Sequence, residues 1–104
     1  MAKIYNKLVR DKIPEIIVSS GKIPATRVLS TDEYHTSLLD KLQEEVDEFI
    51  HDKNGEELAD ISEVLHALAA SIGITPQEVE DIRKHKAEER GSFSQKIYLE
   101  SVEE

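Results

Sequence analysis

An all-α fold is predicted for this chain: a helical hairpin within a four-helix-type bundle, carried by a single domain of residues 1–104. Three stretches begin with residue patterns typical of a helix start and continue with apolar residues three or four positions apart. Turn-forming residues separate these stretches, so each is expected to be one helix. Alternating segments towards the two ends predict a minor β-ribbon in addition.

A first short helix is expected after Asp11, which can cap a helix and places Pro14 in the first turn, where its missing N–H costs little. Gly21 is expected to end this helix. Residues 3–5 are compatible with a short strand or an ordered arm, and residues 26–29 with a strand.

The second predicted helix begins at the capping box of Ser30 and Glu33 and runs to about His51. Its apolar stripe has helical period and comprises Leu38, Leu39, Leu42, Val46, Phe49 and Ile50. Glu45 lies at the margin of this stripe and Glu48 further out. Side chains at these positions could reach a partly buried site from the edge of a core.

The third predicted helix begins at Asn54 and ends near Gly73. Its core face comprises Leu58, Ile61, Leu65, Leu68, Ala69 and Ile72. Val64 and Ala67 widen the apolar arc beyond what one neighbouring helix would cover. We therefore expect a subunit contact on this helix and a homo-oligomer, most simply a homodimer.

The fourth predicted helix has Thr75 as its cap and Pro76 at its first position, and it ends at about Arg90 before Gly91. Residues 93–98 alternate apolar and polar side chains, which predicts a half-buried strand that pairs with residues 26–29 or 3–5. Residues 100–104 are expected to be frayed.

Acidic residues are concentrated around the predicted hairpin turn, in the patterns Glu44-Glu45-x-x-Glu48 and, eight residues further on, Glu57-x-x-Asp60. Carboxylates three residues apart share a helix face. If residues 52–55 join two antiparallel helices, the two pairs differ in height by only about 3 Å. The spacing therefore predicts a convergence of four carboxylates, from Glu45, Glu48, Glu57 and Asp60.

Four converging carboxylates repel one another, and a hard divalent cation such as Mg²⁺ or Mn²⁺ removes that conflict. A solvated acidic surface is the other interpretation of the pattern, and Glu57 alone could serve as a helix-capping acid. A di-iron site built from Glu48-x-x-His51 and Glu63-x-x-His66 is disfavoured, because their centres are offset by about 10 Å in height.

Composition limits the classes of partner. The formal net charge of −9 argues against a nucleic-acid backbone or an anionic membrane as the main partner. The chain has no cysteine, no apolar signal core and no apolar run approaching ~20 residues, so we expect a cytoplasmic protein. Three cations lie near the start of this acidic chain: Lys7, Arg10 and Lys12. The sequence leaves three interpretations of them open: solvated surface charges, partners of the acidic residues, or contacts to a phosphate.

The acid pattern resembles the metal-binding signature of the all-α nucleoside triphosphate pyrophosphohydrolases. This superfamily includes the MazG-type enzymes, the dimeric dUTPases and phosphoribosyl-ATP pyrophosphohydrolase. The opening YNKLVRDKIPEII and the closing KAEERGSF and IYL segments are similar to small MazG-like, phosphoribosyl-ATP pyrophosphohydrolase-like proteins of about this length. The resemblance therefore spans nearly the whole chain.

This resemblance implies Mg²⁺-dependent hydrolysis of a nucleoside triphosphate between its α and β phosphates, giving the monophosphate and pyrophosphate. By position, the metal ligands would be Glu45, Glu48, Glu57 and Asp60. Glu44 or Glu48 would orient or deprotonate the attacking water. Phosphate contacts would come from Lys86 and Arg90, together with Lys7, Arg10 and Lys12. The alternative, from another functional class, is an acidic helical interaction module on the same scaffold.

Overall fold

The computed structural model describes residues 1–103, and all regular structure in this part of the chain is helical. Four helices follow one another: α1 spans Ile13–Ser19, α2 spans Thr31–Asp52, α3 spans Gly55–Ser71 and α4 spans Pro76–Arg90. The predicted all-α class is thereby confirmed.

The predicted β-ribbon is wrong. Within residues 1–103, no strand forms at 3–5, 26–29 or 93–98. The last of these segments is interrupted by a turn, in which the Lys96 N–H donates to the Phe93 carbonyl at 3.3 Å and Lys96 has φ 59°. A strand also needs a paired neighbour for its backbone groups. The side chains of Phe93 and Ile97 are instead 99% and 81% exposed.

Helices α2 and α3 form the predicted antiparallel hairpin. A capping box of Ser30 and Glu33 starts α2, as expected from the sequence. Lys53 ends α2 in the left-handed conformation, with φ 51°, and Asn54 starts α3 at once by accepting a hydrogen bond from the Glu57 N–H at 3.0 Å. This tight turn sets the relative height of the acids on the two helices.

The remaining helices do not close a bundle around the hairpin. Helix α4 packs against α3 alone and leaves it at an angle of 108°, and α1 packs against no other helix of the described chain. Lys12 occupies the start of α1 without a side-chain cap, so the expected capping by Asp11 is not observed. The four-helix-type bundle predicted from the sequence is therefore not formed within one chain.

The hydrophobic core is correspondingly small. Only Leu38, Val64 and Ala69 are buried apolar residues in the described chain. The radius of gyration is 18.3 Å, compared with about 13 Å for a compact domain of this length. Several large apolar side chains of the hairpin, including Leu39, Ile50, Leu58 and Leu65, remain about half exposed in the single chain.

Candidate metal centre

The four acids predicted to converge do so at the turn end of the hairpin. Glu45 and Glu48 of α2 and Glu57 and Asp60 of α3 each place one carboxylate oxygen within 4.8 Å of the others. Glu45 is buried, Glu57 and Asp60 are half-buried, and Glu48 is exposed. The cluster therefore has a closed inner side and an open outer side, and it could hold a metal ion.

Local backbone structure explains why these acids meet. Within each helix, the two acids are three positions apart and share a face. The Asn54 cap fixes the first turn of α3 through the Glu57 N–H, so the position of Glu57 relative to α2 is determined by the turn itself. At the other end of the hairpin, Ser71 Oγ lies 3.4 Å from His35 Nδ1, which is consistent with the same antiparallel register.

Glu45 is the acid with the most restricted access to water, at 6% exposure. Burial raises the pKa of its carboxyl group, Lys41 opposes this shift and the neighbouring Glu48 adds to it. Lys41 Nζ lies 3.2 Å from Glu45 Oε1. The buried Oε2 atoms of Glu45 and Glu57 have no hydrogen-bond partner.

Lys41 is part of this site, although the sequence analysis did not identify it. Its ammonium group bridges Glu44 and Glu45, with Nζ 3.2 Å from an oxygen of each. Burial lowers the pKa of Lys41, but the two carboxylates outweigh that effect and leave it raised. The spacing from Lys41 to Glu44 and Glu45, three and four residues along a helix, was the available signal.

The segment that precedes α1, residues 1–12, also reaches the site, and we call it the N-terminal strap. Lys7 Nζ lies 2.9 Å from Glu44 Oε1, and Arg10 Nη2 lies 2.7 Å from Asp60 Oδ1. Burial would raise the pKa of Glu44, but its pairing with Lys7 and Lys41 lowers it overall. Of the interpretations open for these cations, pairing with the acidic face is the one observed in the protein alone.

The charges of the site do not balance. Five carboxylates, the cluster and Glu44, face three cations, Lys7, Arg10 and Lys41, which leaves a formal charge of −2. Two buried oxygens also remain without a partner. The charge of one divalent cation would balance this deficit, and carboxylate oxygens are ligands that hard cations prefer. The residues present therefore fit a divalent metal ion.

The other predicted phosphate residues lie elsewhere. Lys12 occupies the N-cap position of α1 and forms no ion pair within residues 1–103. Lys86 and Arg90 lie on the exposed outer part of α4. From the helix lengths and the 108° bend between α3 and α4, Lys86 is on the order of 20 Å from Asp60. The structure thus brings Lys7 and Arg10 to the acids, but not Lys86 or Arg90 of the same chain.

Comparison with known proteins adds one similarity. A segment of 42 residues is 57% identical to an uncharacterized protein of Mycolicibacterium smegmatis (strain ATCC 700084 / mc(2)155), covering 40% of this chain and 43% of that protein. The match thus spans less than half the length of that relative. No family model matches the chain, and no solved structure matches it. These comparisons assign no activity to the candidate site.

No single helix of residues 1–103 is long and apolar enough to cross a membrane. Helices α3 and α4 reach the required length and composition only when taken together across their 108° bend.

Proposed function

We propose that this protein is a Mg²⁺-dependent nucleoside triphosphate pyrophosphohydrolase that cleaves between the α and β phosphates. The observation that carries the proposal is the convergence of Glu45, Glu48, Glu57 and Asp60 within 4.8 Å, with two buried oxygens that lack a partner. The resemblance of these acids and of both flanking segments to the all-α pyrophosphohydrolases supplies the reaction.

Each acid of the cluster has a role set by its exposure. Glu45 and Glu57 provide the inner ligand oxygens, because their partnerless Oε2 atoms are buried. Glu48 and Asp60 complete the ligand set on the open side, where a substrate can approach. When bound, Mg²⁺ or Mn²⁺ would neutralise phosphate oxygens and help to align an in-line water.

Glu48 is the better candidate for activating that water. Both carboxylate oxygens of Glu44, the other candidate, already accept hydrogen bonds, one from Lys7 and one from Lys41. A general base needs a carboxylate oxygen that is free to take a proton. Glu48 is exposed, so one of its oxygens can face the solvent and the attacking water while the other serves the cluster.

The N-terminal strap provides the first phosphate contacts. Lys7 and Arg10 hold two acids of the site in the protein alone. A cation that binds the cluster neutralises Asp60 and so weakens its attraction for Arg10, and it also lowers the negative potential that holds Lys7 beside Glu44. The two side chains are then free to contact the polyphosphate that enters with the metal, and a guanidinium matches phosphate geometry well.

Lys86 and Arg90 do not contact the acid cluster within one chain. Their helix leaves α3 at 108°, which holds them on the order of 20 Å from Asp60 of the same chain, beyond side-chain reach. The phosphate contacts that the resemblance implies would then be made through the length of the polyphosphate or by a second copy of the chain. Lys12 completes the set of proposed phosphate contacts, at the junction of the strap and α1.

The experiment that tests the proposal is a ³¹P NMR product analysis of a panel of normal and damaged nucleoside triphosphates with Mg²⁺ or Mn²⁺. Formation of the monophosphate and pyrophosphate is expected, with Glu48→Gln or Asp60→Asn abolishing it while helical circular dichroism is retained. Glu63→Gln is the matched control, because Glu63 is an exposed acid of α3 outside the cluster. Release of orthophosphate, or turnover that survives Asp60→Asn, would refute the assignment.

The acidic interaction module is the alternative. It predicts that the chain binds a basic partner without hydrolysing any nucleotide. The same product analysis separates the two functions, because a pure binding module forms no pyrophosphate under any metal condition.

A further inference from the structure

A continuous row of ion pairs leads from the N-terminal strap to the acid cluster. Lys7 Nζ donates to Glu44 Oε1 at 2.9 Å, and Lys41 Nζ donates to the other oxygen of Glu44, Oε2, at 3.2 Å. Lys41 Nζ also lies 3.2 Å from Glu45 Oε1. The row ends at Glu45 Oε2, which is buried and has no hydrogen-bond partner within residues 1–103. The two oxygens of Glu45 are therefore not equivalent, because Lys41 holds only one of them.

Lys41 is held more firmly than the cations of the strap. Its side chain is 17% exposed, against 42% for Lys7 and 54% for Arg10. It lies three and four positions before Glu44 and Glu45 on α2, a spacing at which side chains of one helix meet. The side chain of Glu45 is only 8% exposed. Little water can compete for this contact, so it is stronger than the same ion pair would be in solvent.

The contact with Lys41 determines which oxygen Glu45 can offer to a cation. The terminal torsion of a glutamate has only broad preferences, so an isolated carboxylate rotates easily. With Oε1 held by Lys41, Oε2 remains for a cation at the cluster, whose four acids each place an oxygen within 4.8 Å of the others. Lys41 also has a second carboxylate partner, Glu44, which lies outside the cluster. A cation that binds Glu45 through Oε2 therefore does not displace Lys41.

We infer that Lys41 is a positioning residue of the metal centre, which holds Glu45 by one oxygen and so presents the other oxygen to a divalent cation. The inference rests on the metal centre of the proposed function. Hydrogen-bond partners of metal-binding carboxylates typically contribute about 10- to 100-fold to metal affinity, because they fix the orientation of the ligand. Lys41 differs in this from Arg10, which competes with the cation for Asp60 and has no second carboxylate partner within residues 1–103.

A role of Lys41 through its charge alone predicts the opposite change in metal affinity. An ammonium group beside the cluster repels a divalent cation, so removing the charge would strengthen binding if charge were the only effect. Loss of the positioning contact weakens binding instead. Lys7→Gln is the matched control, because it removes one positive charge from the same row and leaves the contact of Lys41 with Glu45 in place.

The experiment is an isothermal titration with Mn²⁺, with circular dichroism at the same temperature to check that each variant is helical. Lys41→Gln should bind Mn²⁺ about 10- to 100-fold more weakly than wild type, whereas Lys7→Gln should bind at least as tightly as wild type. Lys41→Arg should recover most of the affinity, because a guanidinium restores the charge and has donors for both carboxylates.

A second measurement on the wild-type protein decides if Lys41→Gln fails to fold. In ¹⁵N NMR, the ammonium group of Lys41 should exchange its protons slowly with water, because it is held by two carboxylates. This slow exchange should persist when Mg²⁺ is added, since the cation takes the free oxygen of Glu45. The ammonium group of Lys7, which is more exposed, should exchange faster in both states.

Three results would overturn the positioning role: Lys41→Gln that binds Mn²⁺ as tightly as Lys7→Gln, Lys41→Arg that binds no more tightly than Lys41→Gln, or release of the Lys41 ammonium group to fast exchange on addition of Mg²⁺. Any of these in a protein that binds Mn²⁺ and releases pyrophosphate would overturn the role of Lys41 alone. The expected order of affinities without pyrophosphate release would overturn the proposed reaction alone. Absence of Mn²⁺ binding by wild type would overturn both.

Discussion

Replacing Arg10 by glutamine should move metal affinity and catalytic efficiency in opposite directions. The substitution removes the guanidinium whose Nη2 lies 2.7 Å from Asp60 Oδ1. Both side chains are partly exposed, so this ion pair is worth about 0.2–1 kcal/mol. A cation that binds Asp60 competes with that pair. The affinity for Mn²⁺ should therefore increase by up to about fivefold in Arg10→Gln.

The expected effect on turnover has the opposite sign, because the proposed function gives Arg10 a second role as a phosphate contact once substrate is bound. A charge-assisted contact to a phosphate oxygen is worth about 1.5–3 kcal/mol. Its loss should lower kcat/KM by roughly 10- to 150-fold. A side chain that only neutralises the acids would not produce this split between affinity and efficiency.

Isothermal titration with Mn²⁺ and a pyrophosphate-release assay measure the two quantities. Lys22→Gln is the control, because it removes the same charge from an exposed position that forms no ion pair within residues 1–103. The reasoning fails if Arg10→Gln binds Mn²⁺ more weakly than wild type. It also fails if its kcat/KM equals that of the control.

Three further predictions concern stability and pH. Glu57→Gln should raise the melting temperature of the metal-free protein by several degrees, because it relieves about 1 kcal/mol of repulsion between the acids, and it should remove the stabilisation by Mn²⁺, because it deletes a ligand. A Mn²⁺-induced rise in melting temperature equal to that of wild type would contradict this. Asn54→Ala and Thr75→Ala should each lower the free energy of unfolding, measured by calorimetry, by about 1 kcal/mol, because each removes a helix cap, but only Asn54→Ala should also weaken Mn²⁺ binding. Equal Mn²⁺ binding by the two variants would argue against the role of the turn in positioning the acids. The hydrogen bond from Arg27 is the main cause that lowers the pKa of Glu33 from an ordinary 4.5 to about 2, so the ionised Glu33 stabilises the fold fully above pH 4.5 and loses this contribution as the pH falls to about 2. NMR titration of Arg27→Gln should show the pKa of Glu33 raised, and an unchanged pKa would refute the assignment.

The hairpin and its acids could be predicted because their determinants are local. Ser30, Asn54 and Thr75 cap the helices at the expected positions, and the short turn at Lys53 and Asn54 sets the relative height of the two helices. Once the turn length and the three-residue spacing of the acids are known, their convergence follows from helix geometry alone.

Features that depend on distant parts of the chain could not be predicted in the same way. The alternation in residues 93–98 is real, but no local signal shows whether a partner strand lies beside it. The contact of Arg10 with Asp60 joins residues 50 positions apart, so the sequence left three interpretations of the strap cations open. The direction in which α4 leaves α3 likewise decides where Lys86 lies, and helix periodicity contains no information about that angle.

Titration of Mn²⁺ followed by electron paramagnetic resonance tests the central claim most directly, since it reports the binding of a divalent cation without requiring the correct substrate. Wild-type protein and the control Glu63→Gln should remove free Mn²⁺ from solution with the same affinity. Glu45→Gln and Asp60→Asn should weaken that binding by at least about tenfold while helical circular dichroism is retained. Equal binding by all four proteins, or no binding by wild type, would contradict the assignment of these carboxylates as a metal centre.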